Sequence, residues 1–215
     1  MPDLLEHERK LWASGIVFLA GIDEAGRGPL AGPVSAAAVM IPRELAEREL
    51  DLLLKDINDS KKLTPLKREK LFHVITGAAG IHFGTGLASV TEIDKFNILQ
   101  ATYMAMGRAV SALPSMPEHV LVDGLPVKGL PCSSTAIVQG DTKSLLIAAA
   151  SIVAKVTRDR IMDELHDKYP VYGFLKHKGY GTKQHMQALL EYGPCPEHRR
   201  SFRPVAEAEA IFAKK

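Results

Sequence analysis

Apolar positions fall into two patterns along this chain: short continuous runs, typical of buried strands, and longer stretches with apolar residues three or four apart, typical of helices. The runs predict five strands, at residues 16–20, 33–41, 81–88, 118–124 and 134–141. The helical pattern covers residues 3–13, 44–54, 65–75, 92–113, 143–169 and 183–191, with Thr64 and Thr91 as predicted N-caps. Strands with helices between and after them predict an α/β domain around a central sheet.

The connection between the first two predicted strands is too short for a crossover helix. We therefore predict that an antiparallel hairpin opens the sheet and that the five-stranded sheet is mixed. Residues 171–215 consist of short segments rich in Gly, His, Lys and Arg. We predict one domain over residues 1–215, in which residues 171–215 form a small helical and basic C-terminal appendage.

The composition is that of an ordinary globular protein, with 46% hydrophobic and 24% charged residues and a net charge of +2. That charge is too small to indicate nucleic-acid binding by itself. No stretch is apolar for long enough to span a bilayer, and the start of the chain lacks a secretory signal, so we expect a cytoplasmic protein with no membrane partner. We also expect a monomer. Cys132 and Cys195 have no metal-ligand spacing and are predicted to be reduced thiols.

Acidic residues follow three of the predicted strands. Asp23 follows the first strand, Asp123 follows the apolar residues 120–122 of the fourth and Asp141 follows the apolar residues 136–138 of the fifth, each with a glycine close by. Sites in open α/β sheets lie at such strand ends, so these carboxylates converge if their strands are neighbours. Neighbouring residues on a strand point to opposite faces, so Glu24 can join Asp23 only if the chain bends, which the glycines that follow permit.

Four convergent carboxylates would repel one another in a partly desolvated cleft unless cations were present. Oxygen ligands favour Mg²⁺ or Mn²⁺, and two such ions about 4 Å apart can activate a water and stabilise a leaving oxygen. Each acid also has a plain structural alternative: Asp23 can close a turn, Asp141 can cap the helix predicted from residue 143, and Asp123 can merely precede Gly124.

Six segments, in this order along almost the whole chain, together resemble bacterial ribonuclease HII. They are GIDEAGRG at residues 21–28, DSKKL at 59–63, VDG at 122–124, GDTKS at 140–144, KGYGT at 178–182 and HRRSF at 198–202. The resemblance implies a ribonuclease H-like fold and an endoribonuclease that hydrolyses the RNA strand of RNA–DNA hybrids. It also implies cutting on the 5′ side of ribonucleotides embedded in duplex DNA, with 3′-hydroxyl and 5′-phosphate ends.

By motif match, the resemblance makes Asp23, Glu24, Asp123 and Asp141 the catalytic ligands of two Mg²⁺ or Mn²⁺ ions. The backbone of Gly26, Arg27 and Gly28 would read the ribose 2′-hydroxyl, which a turn without bulky side chains can approach closely. Further substrate-binding residues in the matched segments are Lys61, Lys62, Lys143, Ser144 and Tyr180; the tyrosine matches one that packs against the deoxyribose after the ribonucleotide.

Plainer interpretations of the basic residues remain open. A lysine pair such as Lys61 and Lys62 is often only a solvated surface. We expect structural roles for Arg199, Arg200 and Arg203, with partners among Asp159, Asp163 and Glu164, and no histidine has zinc spacing. The alternatives for function are a non-catalytic nucleic-acid-binding module and a phosphate-binding enzyme, although no GxxxxGK[ST] loop is present. Nothing in residues 206–215 identifies a replication partner.

Overall fold

The computed structural model describes residues 3–49, residue 57 and residues 63–214. In this part of the chain, strands β1–β5 lie at Leu19–Ala25, Val34–Met40, His82–Ala88, His119–Asp123 and Ser133–Ile137. Helices α1–α8 lie at Glu6–Ala13, Arg43–Glu49, Pro65–Gly77, Val90–Ser111, Leu145–Lys168, Phe174–His177, Lys183–Tyr192 and Arg203–Phe212. Short 3₁₀ turns lie at Gly140–Thr142 and Pro170–Tyr172.

The five strands form one mixed sheet in the order β3-β2-β1-β4-β5. The pairs β1–β2 and β2–β3 are antiparallel, whereas β1–β4 and β4–β5 are parallel. The predicted opening hairpin and the predicted mixed sheet are therefore confirmed. Because β1 and β4 are parallel neighbours, their carboxyl ends meet at one edge of the sheet.

Helices cover both faces of the sheet, which explains why β2 is buried at every position and apolar at every position except Ser35. Along β2, Ala37 and Val39 belong to the core under α5, whereas Ala36 and Ala38 belong to the core under α4. Successive strand residues point to opposite faces, so a strand covered on both sides carries mostly apolar residues along its whole length.

Helix α5 lies unusually close to β1. A Cβ added to Gly21 would lie 2.2 Å from the backbone carbon of Leu146, a distance that real side chains do not reach. Glycine at this position, together with the alanines of α5, lets the helix lie directly behind the strand that carries Asp23 and Glu24.

The first strand begins later than the sequence predicted. Val17 and Phe18 are 70% and 49% exposed, and their N–H groups donate to the carboxylate of Glu118 instead of entering the sheet at β1. Strand β1 runs from Leu19 to Ala25, so Asp23 and Glu24 lie in its last residues and not in the turn after it. The apolar run alone could not show this, because exposed and buried apolar residues look alike in sequence.

Two helix starts also differ from the predictions. Helix α4 is capped by Ser89, which forms a capping box with Glu92, and not by Thr91. Helix α5 begins at Leu145 with Ser144 as its N-cap, after the Gly140–Thr142 turn that ends the predicted fifth strand early. The predicted helix at residues 44–54 is present as α2, and its residues 50–54 lie outside the described part of the chain.

The C-terminal helices enclose a third core that also contains Leu30, Ala31 and Met162 from the main body of the protein. Both cysteines are free thiols, as predicted, and Cys195 is buried in this core. No helix in the described residues has the length and apolarity needed to cross a membrane.

Candidate active site

Three carboxylates line one cleft at the carboxyl edge of the sheet. Ile22 of β1 is in register with Val122 of β4, which places Asp23 beside Asp123. Both of them, with Glu24, line a cleft of about 430 Å³. Of the three acids that the sequence predicted to converge from strand ends, Asp23 and Asp123 line this cleft, and Glu24 joins them there.

Asp23 is the buried centre of this group. It is 2% exposed; its Oδ1 accepts the Glu24 N–H at 2.7 Å, and its Oδ2 is buried and accepts no hydrogen bond. Burial first, and then the charges of Glu24 and Asp123, hold the pKa of Asp23 well above its ordinary value. Burial also raises the pKa of Glu24, although the hydrogen bond from Arg27 works in the opposite direction. The cluster is thus short of positive charge.

Asp141 lies near this group without completing it. It is buried in the Gly140–Thr142 turn, and the N–H of Gly140 donates to Asp123 Oδ1 at 2.6 Å. Among the residues that the structure describes, no three His, Cys, Asp or Glu side chains are arranged to hold a metal ion. The structure therefore brings three of the four predicted carboxylates to the lining of the cleft, where Asp123 also accepts the Gly140 N–H and Glu24 pairs with Arg27.

The chemistry of these residues nevertheless fits a divalent cation. The donors are carboxylate oxygens, which suit Mg²⁺ or Mn²⁺ better than zinc. The buried Oδ2 of Asp23 needs a positive partner, and such a partner would also reverse the raised pKa values of Asp23 and Glu24. The residues that would hold a cation are Asp23, Glu24 and Asp123, which line the cleft, with Asp141 next in sequence to Gly140, whose N–H donates to Asp123.

Arg199 holds the glycine turn after β1 in place through hydrogen bonds to backbone carbonyls. This buried guanidinium donates to the carbonyl oxygens of Gly26, Arg27 and Gly32, at distances of 2.5–3.0 Å. Gly26 has φ of 96°, a conformation that glycine adopts readily and other residues do not. The structural role predicted for Arg199 is confirmed, but its partners are backbone carbonyls and not the predicted acids of α5.

Arg158 is the second buried arginine at this turn. It donates to the carbonyl oxygens of Ala31, Pro33 and Lys178, each at 3.0 Å, and so joins the loop after β1 to the loop that carries Tyr180. Arg158 also lines the cleft. The role of Arg158 was not predicted from the sequence, because a lone arginine inside a helical pattern is typical of a charged residue on the surface.

The predicted ribose-reading turn and the predicted sugar-packing ring lie side by side. A Cβ added to Gly28 would lie 3.6 Å from the Tyr180 ring, and Tyr180 is 48% exposed on the wall of the cleft. The Leu30 N–H also donates to the Gly179 carbonyl at 2.8 Å. The two segments, about 150 residues apart in sequence, therefore form one surface beside the acids.

The remaining predicted substrate contacts have other surroundings. The ammonium of Lys143 donates to the Val138 carbonyl at 2.7 Å. Ser144 is fully buried, donates to Glu8 at 2.6 Å and caps α5, so the structure gives it a structural role in place of the predicted contact with substrate. Lys61 and Lys62 lie outside the described residues. Arg68, Ser151 and Lys155 line the cleft and were missed.

Next to the cleft lies a pair of histidines that the sequence placed at the surface or near the ligands. His185 and His198 are fully buried, and their Nε2 atoms lie 2.9 Å apart. Burial lowers the pKa of His185 to about 4 and that of His198 to about 3, so both rings are neutral at physiological pH.

This neutral pair predicts a loss of stability in acid. The unfolded histidines titrate near pH 6.5, whereas the folded ones resist protonation until about pH 4 or 3, so protons favour the unfolded state between these values. We expect the free energy of unfolding, measured by urea denaturation, to fall as the pH is lowered from 7 to 5. The variant His185→Asn/His198→Asn should show a shallower fall, and an equally steep one would contradict the buried neutral pair.

The fold and the acids at the carboxyl edge of the sheet define a ribonuclease H-like nuclease. The family model described as Ribonuclease HII matches residues 20–205. Ribonuclease HII of Geobacillus thermodenitrificans is 53% identical over 211 residues, which cover 97% of this chain and 77% of that protein. The chain belongs to the ribonuclease HII family, and it is a hydrolase with endoribonuclease H activity on RNA–DNA hybrids.

Solved structures agree with this assignment. The crystal structure of ribonuclease H2 from Pyrococcus horikoshii has a TM-score of 0.75 and 29% identity, and the match covers 92% of this chain and 99% of that one. Ribonuclease HII of Archaeoglobus fulgidus, solved in complex with PCNA, has a TM-score of 0.70 and 26% identity, with 87% and 96% covered.

Proposed function

We propose that this enzyme, besides acting on RNA–DNA hybrids, incises duplex DNA on the 5′ side of a single embedded ribonucleotide and leaves 3′-hydroxyl and 5′-phosphate ends. The observation that carries the proposal is the position of Gly28 and the Tyr180 ring side by side in the acidic cleft, close enough that a Cβ added to Gly28 would contact the ring. A turn that binds a ribose and a neighbouring ring that packs against a deoxyribose suit a junction between one ribonucleotide and the deoxyribonucleotide after it.

The glycine turn can donate hydrogen bonds to a ribose. Its carbonyls at Gly26 and Arg27 point to the buried Arg199. In a trans peptide the N–H points away from the C=O, so the N–H groups of Arg27 and Gly28 point away from Arg199, on the side where the turn lines the cleft. Two backbone donors on a turn with little side-chain bulk can bind a 2′-hydroxyl, the group that distinguishes RNA from DNA.

Tyr180 would select the nucleotide that follows the ribonucleotide. Its half-exposed ring offers a flat apolar face next to Gly28. A deoxyribose packs against such a face without loss, whereas a ribose at that place would bury its hydroxyl against carbon. The ring therefore favours DNA directly after the ribonucleotide.

We assign the chemical step to the acids of the cleft. Asp23, Glu24 and Asp123, joined by Asp141, would hold the metal ions. When bound, Mg²⁺ or Mn²⁺ activates a water and stabilises the leaving oxygen. Arg27, which pairs with Glu24, keeps that carboxylate near the turn, so that the residues that read the sugar and those that hold the cation share one short segment. That the enzyme is monomeric and cytoplasmic stays a prediction of the sequence.

The test compares three labelled substrates: duplex DNA with one ribonucleotide, an RNA–DNA hybrid, and the same duplex entirely of DNA. In the presence of Mg²⁺ or Mn²⁺ we expect incision of the first two and none of the third, and no incision in EDTA. Cleavage of the hybrid with no cut at the single ribonucleotide would refute the proposal while leaving the family assignment intact.

A further inference from the structure

A chain of hydrogen bonds runs through the buried histidines and fixes which ring nitrogen carries each proton. The Cys195 N–H donates to His198 Nδ1 at 3.0 Å, so the neutral His198 carries its proton on Nε2. That proton is donated to His185 Nε2 at 2.9 Å. His185 therefore carries its own proton on Nδ1, which lies 3.0 Å from the carbonyl oxygen of Tyr180. This chain of hydrogen bonds ends at the carbonyl oxygen of Tyr180, whose side chain lines the cleft.

The backbone before Tyr180 needs such support. Lys178 has φ of 48° and Gly179 has φ of 85°, so two successive residues are left-handed, a conformation that is unfavourable for the lysine because it has a Cβ. Arg158 holds the carbonyl of Lys178 from one side, and His185 holds the carbonyl of Tyr180 from the other. Strain of this kind persists only where the surrounding structure fixes it.

His185 is itself held rigidly. It lies in the first turn of α7, which Thr182 caps, and its ring stacks on His177 with centroids 4.7 Å apart. His177 in turn donates through Nε2 to the Tyr172 carbonyl at 2.8 Å. The orientation of His185 is thus determined by contacts on several sides, which a residue that merely fills space would not need.

We propose that His185, oriented by His198, is a positioning residue that fixes the Tyr180 ring against Gly28 and thereby sets the preference for a ribonucleotide followed by deoxyribonucleotide over continuous RNA. This inference rests on the proposed incision at single ribonucleotides. His185 touches neither the acids nor the sugar in this arrangement; it acts through the backbone of Tyr180. Its substitution should therefore change the choice of substrate more than the chemical step.

Two variants of His185 separate the positioning bond from the packing. In His185→Asn the side-chain amide occupies the place of Nδ1 and can still donate to the Tyr180 carbonyl. In His185→Gln the amide reaches the place of Nε2, so contact with His198 is kept and the bond to Tyr180 is lost. We expect the ratio of kcat/KM for the single-ribonucleotide duplex to kcat/KM for the hybrid to fall about tenfold in the Gln variant, mainly through KM, and to stay within about twofold of wild type in the Asn variant.

The same measurements in a Tyr180→Ala background show whether the effect passes through the ring. Tyr180→Ala alone should lower the ratio, and His185→Gln should lower it no further in that background, since residues that act as one unit are not additive. A loss that adds fully to that of Tyr180→Ala, or an equal loss of activity on both substrates, would overturn the inference. Should the Gln variant fail to fold by circular dichroism, His198→Asn, which removes the donor to His185, is expected to give the same loss.

The outcomes also distinguish the inference from the function on which it rests. If the wild-type enzyme does not cut at a single ribonucleotide, both are refuted. If the wild type cuts there and Tyr180→Ala loses the preference, but the Gln and Asn variants both behave as wild type, only the positioning role of His185 is refuted.

Discussion

Asparagine in place of Asp23 is expected to lower the rate of hybrid cleavage by about a thousandfold and, at the same time, to stabilise the metal-free protein. Loss of a central anionic ligand should remove about 4 kcal/mol of the stabilisation that a bound cation gives to the transition state, and each 1.4 kcal/mol is a factor of ten in rate. The gain in stability follows because the variant replaces a buried carboxylate that has an unpaired oxygen and two acidic neighbours.

The gain in stability of Asp23→Asn should depend on pH, and the raised pKa of Asp23 determines the direction of that dependence. The pKa of Asp23 is raised in the folded state, so the folded protein keeps a proton there that the unfolded protein releases, and stability falls as the pH rises through that window. Asparagine has no such proton. The excess melting temperature of Asp23→Asn over wild type, measured in EDTA, should therefore increase from acid to neutral pH and vanish below about pH 4.

The matched control is Asp167→Asn, at an exposed position near the end of α5. This variant should keep wild-type activity, and its melting temperature should differ little from that of wild type at any of these pH values. An Asp23→Asn protein that cleaves the hybrid at the wild-type rate, or that is less stable than wild type in EDTA at pH 7, would contradict the assignment of Asp23 as a buried ligand.

Alanine in place of Gly26 is expected to have the largest combined effect on stability and activity. At φ of 96° a side chain costs roughly 1–2 kcal/mol. The new Cβ would also lie 2.0 Å from Nε of Arg158, and relief of such overpacking typically costs roughly 1–3 kcal/mol more. Because Arg158 also holds the loop of Tyr180, its displacement should disturb both halves of the predicted sugar-reading surface. Urea denaturation and cleavage of the single-ribonucleotide duplex measure the two effects.

Gly28→Ala is the control for this variant. Gly28 has no left-handed φ, and its added Cβ would meet only the Tyr180 ring, at an ordinary contact distance of 3.6 Å. We expect this protein to be as stable as wild type and to bind the ribonucleotide substrate more weakly, since the methyl group lies between the turn and the ring. Wild-type stability in Gly26→Ala would show that Arg158 does not pack against the turn as described.

The sequence predicted those parts of the fold that depend on local patterns. Apolar runs located all five strands, and the short link before β2 predicted the hairpin. The errors lie in the starts of strands and helices that depend on contacts with residues distant in sequence. Glu118 binds the N–H groups of Val17 and Phe18 outside β1, and Glu8 reaches Ser144 at the start of α5. Neither contact can be predicted from the local pattern of apolar and polar residues.

The residues of the site also divide into those that could be predicted from the sequence and those that could not. Asp23 and Asp123 could be found because the ends of parallel neighbouring strands meet. Arg158, His185 and Arg199 could not be assigned their partners, because each binds backbone carbonyls, which every residue possesses. A sequence shows which side chains can donate, but only the folded chain shows which carbonyls accept.

The most direct test of the central claim maps the ends left by cleavage of duplex DNA that contains one ribonucleotide, in Mg²⁺ or Mn²⁺, at single-nucleotide resolution. The predicted result is one cut, on the 5′ side of the ribonucleotide, with a 3′-hydroxyl on the upstream fragment and a 5′-phosphate on the ribonucleotide. A cut on its 3′ side, a 2′,3′-cyclic phosphate, or an intact duplex beside a fully digested RNA–DNA hybrid would contradict it.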